Sequence, residues 1–216
     1  MTNDIDTLLE GYQKFREHYY DASNAHFEEL IRWGQRPKIL MIACSDSRVD
    51  PALVLNSQPG DLFMIRNVAN LIPPFEDDQA YHGTSAALEF GICVLGIQHV
   101  ILFRHTQCGG IQSLFSPPLP QETQHKKFVT KWMELARPSH QAVLEHHAHE
   151  SLEEKVTLCG QYSLVHSLQN LMTFPWISEK VQNKSLTLHA WNFDLSQGRL
   201  EAFDAQENCF KPLTGS

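Results

Sequence analysis

The chain has 216 residues, 42% of them apolar, and a formal charge of −8, which suits one α/β domain, or a domain with helical additions, around a real core. The acidic balance and the lack of a basic stripe exclude a nucleic-acid binder, and no run of about 18 apolar residues marks a membrane span. The opening Met-Thr-Asn-Asp-Ile-Asp is acidic and lacks the apolar stretch of an export signal, so the five cysteines are expected free or metal-bound in the cytoplasm.

Residues 5–33 carry Leu8, Leu9, Tyr12, Phe15 and Tyr19, then Phe27, Leu30 and Ile31, at helical spacing. They predict two helices broken near Asp21-Ala-Ser-Asn24, packed on their own domain or swapped as an arm onto a partner subunit. After Pro37, Lys38-Ile-Leu-Met-Ile-Ala43 predicts a buried strand. A short helix follows over 50–55, with Pro51 in its first turn, then a turn at Gln58-Pro-Gly-Asp61 and a second strand over 62–67. Residues 83–95 predict a buried helix, 99–104 a third strand, and Gly109-Gly110 a helix start close to a site. Ser116-Pro-Pro-Leu-Pro120 predicts a break.

A polar helix is expected from 126 to 135 and a longer one from 139 to 158. The latter's His-rich stretch, Glu145–Glu150, reads as a solvated helix face; a second metal site on His146 and His149 is the minority alternative. Residues 162–182 predict an amphipathic helix interrupted at Pro175, and 186–191 a fourth strand. Ser196-Gln-Gly198 is a hairpin turn before an antiparallel edge strand over 199–203. The fold class is α/β: a central, mostly parallel sheet of four strands plus an antiparallel edge strand, flanked by helices, with an N-terminal helical arm. The strand order stays open.

Two strands lead straight into residues that carry chemistry. Cys44-Ser-Asp46-Ser-Arg48 follows the first, and His105-Thr-Gln-Cys108 the third. Parallel strands ending side by side would gather them at the sheet edge where open α/β folds bind ligands. Cys44, His105 and Cys108 are good zinc ligands. Cys93, Cys159 and Cys209 supply no obvious fourth, and three protein ligands with one open position are the pattern of catalytic zinc. Asp46 either closes the site as fourth ligand or accepts a hydrogen bond from water at the metal. Arg48, two residues on, favours the second role, because a bidentate guanidinium would turn the carboxylate away and keep it ionised.

Three stretches, Ala43-Cys-Ser-Asp-Ser-Arg-Val49, Gln58-Pro-Gly-Asp-Leu-Phe-Met-Ile-Arg-Asn-Val-Ala-Asn70 and His105-Thr-Gln-Cys-Gly-Gly110, resemble the β-class carbonic anhydrases. The likeness runs from about Gly34 to Leu114 and resumes more weakly over 167–175 and in the final hairpin; 116–160 matches least. The resemblance implies a single domain over 1–216: a helical arm at 1–33, a zinc-site core at 34–115, a helical insert at 116–160, and C-terminal helices with an edge hairpin at 161–216. It implies Zn2+ on Cys44, His105 and Cys108, catalytic roles for Asp46 and Arg48, and reversible conversion of carbon dioxide to bicarbonate by zinc-bound hydroxide. Gln35, Phe63, Val68 and Phe90 would line the substrate pocket, some from a partner chain, and the Gly109 amide would help hold substrate. The assembly would be a homodimer or a multiple of dimers, without nucleic-acid or membrane partners.

Met41 and Ala43 stand where the closed-site kind of this family typically has Trp and Gly, so the chain resembles the plant-like kind, with zinc open to water. Arg104 replaces the usual Gly before the zinc histidine, where it would reshape a loop or bind an interface carboxylate; Phe90 replaces a frequent Tyr. His82, His99 and buffer are candidates for the proton shuttle, though both histidines read more simply as structural or surface residues. The alternatives in function are a hydrolase of carbon disulfide or carbonyl sulfide on the same fold, and a non-catalytic zinc-binding regulatory protein.

Overall fold

The computed structural model describes residues 3–21, 24–78, 80–116 and 127–213. The chain divides into two compact units, Met1–Arg36 and Pro37–Ser216. In the first, α1 (Asp4–Arg16) starts at Asn3 through a capping box with Asp6, and α2 (Ala25–Trp33) starts at Asn24 and stops at Gly34, which adopts φ 76°. Between them a π turn spans Glu17–Asp21. Phe15, Tyr19 and Phe27 hold the two helices together, with ring centroids 4.7 to 5.8 Å apart. Neither helix buries a residue, and Ile5, Leu8, Leu9 and Tyr12 form an exposed apolar stripe on α1.

The second unit is built on a six-stranded sheet among the described residues: β1 (Ile39–Cys44), β2 (Leu62–Asn67), β3 (His99–His105), β4 (Thr187–Asp194), β5 (Arg199–Asp204) and β6 (Cys209–Pro212), in the order β2-β1-β3-β4-β5-β6. The first four are parallel and the last two antiparallel. Both runs that lead into the ligand residues are thus neighbouring central strands. They read as continuous apolar sequence because a parallel sheet covered on both faces has no solvent side. Alternate residues serve different faces. Leu40, Ile42, Val100 and Leu102 pack with Leu88, Leu164, Leu171 and Ile177 from α4 (Gly83–Glu89), α8 (Leu152–Leu171) and α9 (Pro175–Gln182). Met41, Ala43, Ile101 and Phe103 face the other way, onto Val49, Trp191 and Phe193.

Several expectations needed correction. The helix starting at Gly83 relaxes into a π turn over Phe90–Val94. The single helix expected over 139–158 is two: α7 (Arg137–His146) and α8, separated by a turn and restarted by a Ser151–Glu154 capping box. Residues 152–171 are then one continuous helix, so the break expected near 160 does not exist. The polar helix is α6 (Lys127–Met133), followed by a 3-10 turn at Glu134–Ala136; the break expected at 116–120 lies, past Ser116, outside the described residues. The His-rich stretch is not a helix face. His146 ends α7, His147 bonds the Tyr162 hydroxyl at 2.8 Å, and no group able to hold a metal among the described residues includes His146 or His149. Finally, β5 is not the edge; β6 stands outside it.

Candidate metal centre

Cys44 is the last residue of β1 and His105 the last of β3; Cys108 precedes the short helix α5 (Gly109–Gln112). All three are buried, and their ligand atoms lie within 4.8 Å of one another. The two sulfurs are 3.8 Å apart. Two thiolates at about 2.3 Å from one tetrahedral zinc stand about 3.8 Å apart, so the pair is already spaced for that ion. The His105 Nδ1–H donates to the Thr106 carbonyl at 2.8 Å, which fixes the tautomer and leaves Nε2 buried without a partner. A buried acceptor with nothing to accept from marks the place of a cation. The donor set therefore fits zinc. Cys44 is held as a thiolate, at about 4, because the Cys108 S–H donates to it and outweighs burial. The same bond and burial push the Cys108 thiol up.

Asp46 and Arg48 stand beside the ligands. Arg48 Nε donates to Asp46 Oδ1 at 2.9 Å and Nη2 to Oδ2 at 2.7 Å; its backbone N–H adds a third bond at 3.0 Å. This grip, with burial opposing it, holds the carboxyl well below the usual carboxylate range. Oδ2 also lies 3.8 Å from His105 Nε2, so the gripped carboxylate still faces the ligands. Arg48 Nη2 further donates to the Gln107 carbonyl at 3.0 Å, tying the loop after β1 to the loop after β3. Gln107 presents that carbonyl from a left-handed conformation, φ 57°.

Sequence reasoning missed a second clamp, Arg66 on β2. Its guanidinium donates to the carbonyls of Cys44, Asp46 and Val49 at 2.7 to 3.0 Å and meets the Asp50 carboxylate at 3.2 Å. One cation therefore collects three carbonyls of the Cys44–Val49 segment. The available signal was an arginine inside an otherwise apolar strand run.

The pocket candidates divide. Val68 directly follows β2, whose last residue pairs with Cys44, and Gly109 directly follows Cys108, so both belong at the centre. Phe63 and Phe90 meet each other, with ring centroids 6.0 Å apart. Phe63 is level with Leu40, four rungs below Cys44, or about 13 Å at roughly 3.3 Å per residue. Gln35 belongs to the N-terminal unit and is exposed. His99 opens β3, at the end opposite His105, and bonds Thr187 Oγ1 at 2.6 Å. His82 precedes α4 and pairs with Asp78 at 2.6 Å, lining a cleft with Asn67, Val68 and Trp132.

Arg104 is turned into the core rather than toward a loop. It is 3% exposed and lies under α8, where Nη1 donates to Asn192 Oδ1 at 2.6 Å; Asn192 passes the interaction to Glu201 at 2.7 Å. Burial lowers it to about 10, which leaves it charged at neutral pH. Its guanidinium rests against Gly160, the one place on α8 where a Cβ would collide with it.

Residues 39–200 match the family described as carbonic anhydrase. The chain is 36% identical over 200 residues to a carbonic anhydrase of Synechocystis, spanning 93% of this chain and 71% of that protein. It is 35% identical to the chloroplastic β carbonic anhydrase 5 of Arabidopsis thaliana, spanning 89% of this chain and 63% of that one. The solved structure of the β-carbonic anhydrase CcaA superposes over 98% of this chain and 100% of that one, at 34% identity and a TM-score of 0.89. A tetrameric β-carbonic anhydrase of Sordaria macrospora does so over 97% and 100%, at 26% identity and a TM-score of 0.80.

Proposed function

We propose that this chain, which belongs to the β-class carbonic anhydrases and so hydrates carbon dioxide reversibly to bicarbonate, works through zinc on Cys44, His105 and Cys108, with Asp46 and Arg48 as its catalytic pair. The observation that carries this reading is the unpartnered His105 Nε2, buried beside two sulfurs 3.8 Å apart, while the nearby Asp46 is already gripped by Arg48. A zinc ion held there supplies Lewis acidity that brings a water's pKa toward roughly 7, less far where two thiolates cancel its charge.

The residues do the rest. Asp46 accepts a hydrogen bond from the attacking oxygen and aims its lone pair at the substrate carbon. Arg48 keeps that carboxylate ionised and turned. Val68 walls the pocket apolar, and the Gly109 amide donates to a substrate oxygen. Phe63, four rungs from its own Cys44, and Phe90, which meets it, serve the site of a second copy, to which the neighbour's pair contributes in return; Gln35 is assigned to the pocket by the family likeness alone. The functional unit is then a homodimer or a multiple of dimers. Met41 and Ala43, both fully buried, favour the open-site kind, in which Asp46 does not bind the metal. The proton leaves past His82, which shares a cleft with Val68, rather than past His99. No helix among the described residues is long and apolar enough to cross a membrane, and five cysteines, none of them in a disulfide, suit the reducing cytoplasm.

Stopped-flow carbon dioxide hydration, with zinc measured on the same sample, tests the proposal. About one zinc per chain and rapid hydration are expected. A zinc-loaded but inactive protein would point to the regulatory scaffold, and faster turnover of carbon disulfide or carbonyl sulfide to the hydrolase.

A further inference from the structure

Helix α6 carries none of the ligand residues, yet one of its side chains reaches the turn after β2. The Trp132 indole N–H donates to the Val68 carbonyl at 2.8 Å. That carbonyl shares a peptide plane with the N–H of Ala69, and Ala69 packs in one buried cluster with Cys44 and Cys108.

This peptide needs to be held. Ala69 and Asn70 are consecutive non-glycine residues in the left-handed region, at φ 61° and 48°, which L-residues adopt only when surroundings enforce it. The surroundings are α5 and α6. A Cβ on Gly110 would come within 3.0 Å of Val68 Cγ1, 3.2 Å of Ala69 Cβ and 3.4 Å of Met133 Sδ. The turn is pressed against α5 from one side while Trp132 pins its carbonyl. Cys44, Cys108, Ala69 and Met133 share one buried cluster, against which Trp132 packs.

We propose that Trp132 is a positioning residue of the metal centre: by pinning the Val68 carbonyl it holds the left-handed Ala69–Asn70 turn against the cluster that contains Cys44 and Cys108, and sets Val68 in the pocket wall. This rests on the zinc reading above. A purely space-filling indole would tolerate loss of its N–H.

Trp132→Phe keeps an aromatic ring and removes the donor. It is expected to lose zinc to dipicolinate roughly tenfold faster than wild type, as loss of a supporting hydrogen bond does at metal sites. The Ala69 amide proton should move upfield by NMR, and carbon dioxide hydration should fall while the melting temperature changes little. Wild-type zinc release with an unmoved Ala69 amide would overturn the proposal. If wild type itself bound no zinc, the reading of the site would fail, and the Ala69 amide would still report on the peptide. Should the variant not fold, coupling across the hydrogen bond from the Trp132 indole nitrogen to the Val68 carbonyl carbon is measured in wild type, and its absence overturns the proposal.

Discussion

Arg48 spends three of its donors on Asp46, counting its backbone N–H, and one on Gln107. In the proposed mechanism a side chain so engaged orients the attacking oxygen rather than closing the metal's coordination. Asp46→Asn keeps the size and loses the charge; kcat/KM for hydration should fall about 10²–10⁴-fold with zinc content unchanged, whereas loss of zinc would mark Asp46 as a ligand. His82 carries the pH prediction. Its ion pair with Asp78 raises its pKa above the ordinary value of about 6.5. The pair's stabilisation is full below about pH 6.5 and is lost as pH rises through the raised folded value. An NMR titration should therefore place His82 above 6.5, and Asp78→Asn should return it there. At this scale the sequence was most legible, because Cys, His, Asp and Arg declare their chemistry wherever they fall. Arg66 was not, since what it collects are backbone carbonyls, which every residue has.

Helix α8 shows what an element demands of its residues. It passes directly over the buried Arg104, and only Gly160 lets the guanidinium lie flat against it. Gly160→Ala should cost about 1–3 kcal/mol by overpacking, read from urea unfolding. The cost should vanish in an Arg104→Ala background; a penalty equal in both backgrounds would place the strain elsewhere. The ends of α8 were readable in principle. Ser151-Leu-Glu-Glu154 is a capping box, and the long helix drawn over 139–158 ran through it because apolar spacing continues on both sides. Strand β6 escaped because it has four residues and ends in Pro212, too short for an alternating pattern to stand out.

At the scale of the whole molecule, the stripe Ile5, Leu8, Leu9 and Tyr12 is exposed apolar surface on a helix that buries nothing of itself. The assembly proposed above gives it a place on a second copy. Leu8→Glu with Tyr12→Glu should reduce the mass seen by sedimentation and the activity together; an unchanged mass would leave the arm with no part in assembly. The sequence by itself determined the Cys44–His105–Cys108 cluster, the Asp46–Arg48 pair and the strands that lead into them, because side-chain chemistry and apolar periodicity are local properties. The tertiary structure alone decided what supports that site: Arg66 on the Cys44–Val49 loop, Arg104 beneath α8, and Trp132 on the Val68 carbonyl 64 residues away. Each joins a side chain to a partner far along the chain, and only the packing of helices on the sheet chooses which distant group comes within hydrogen-bond reach.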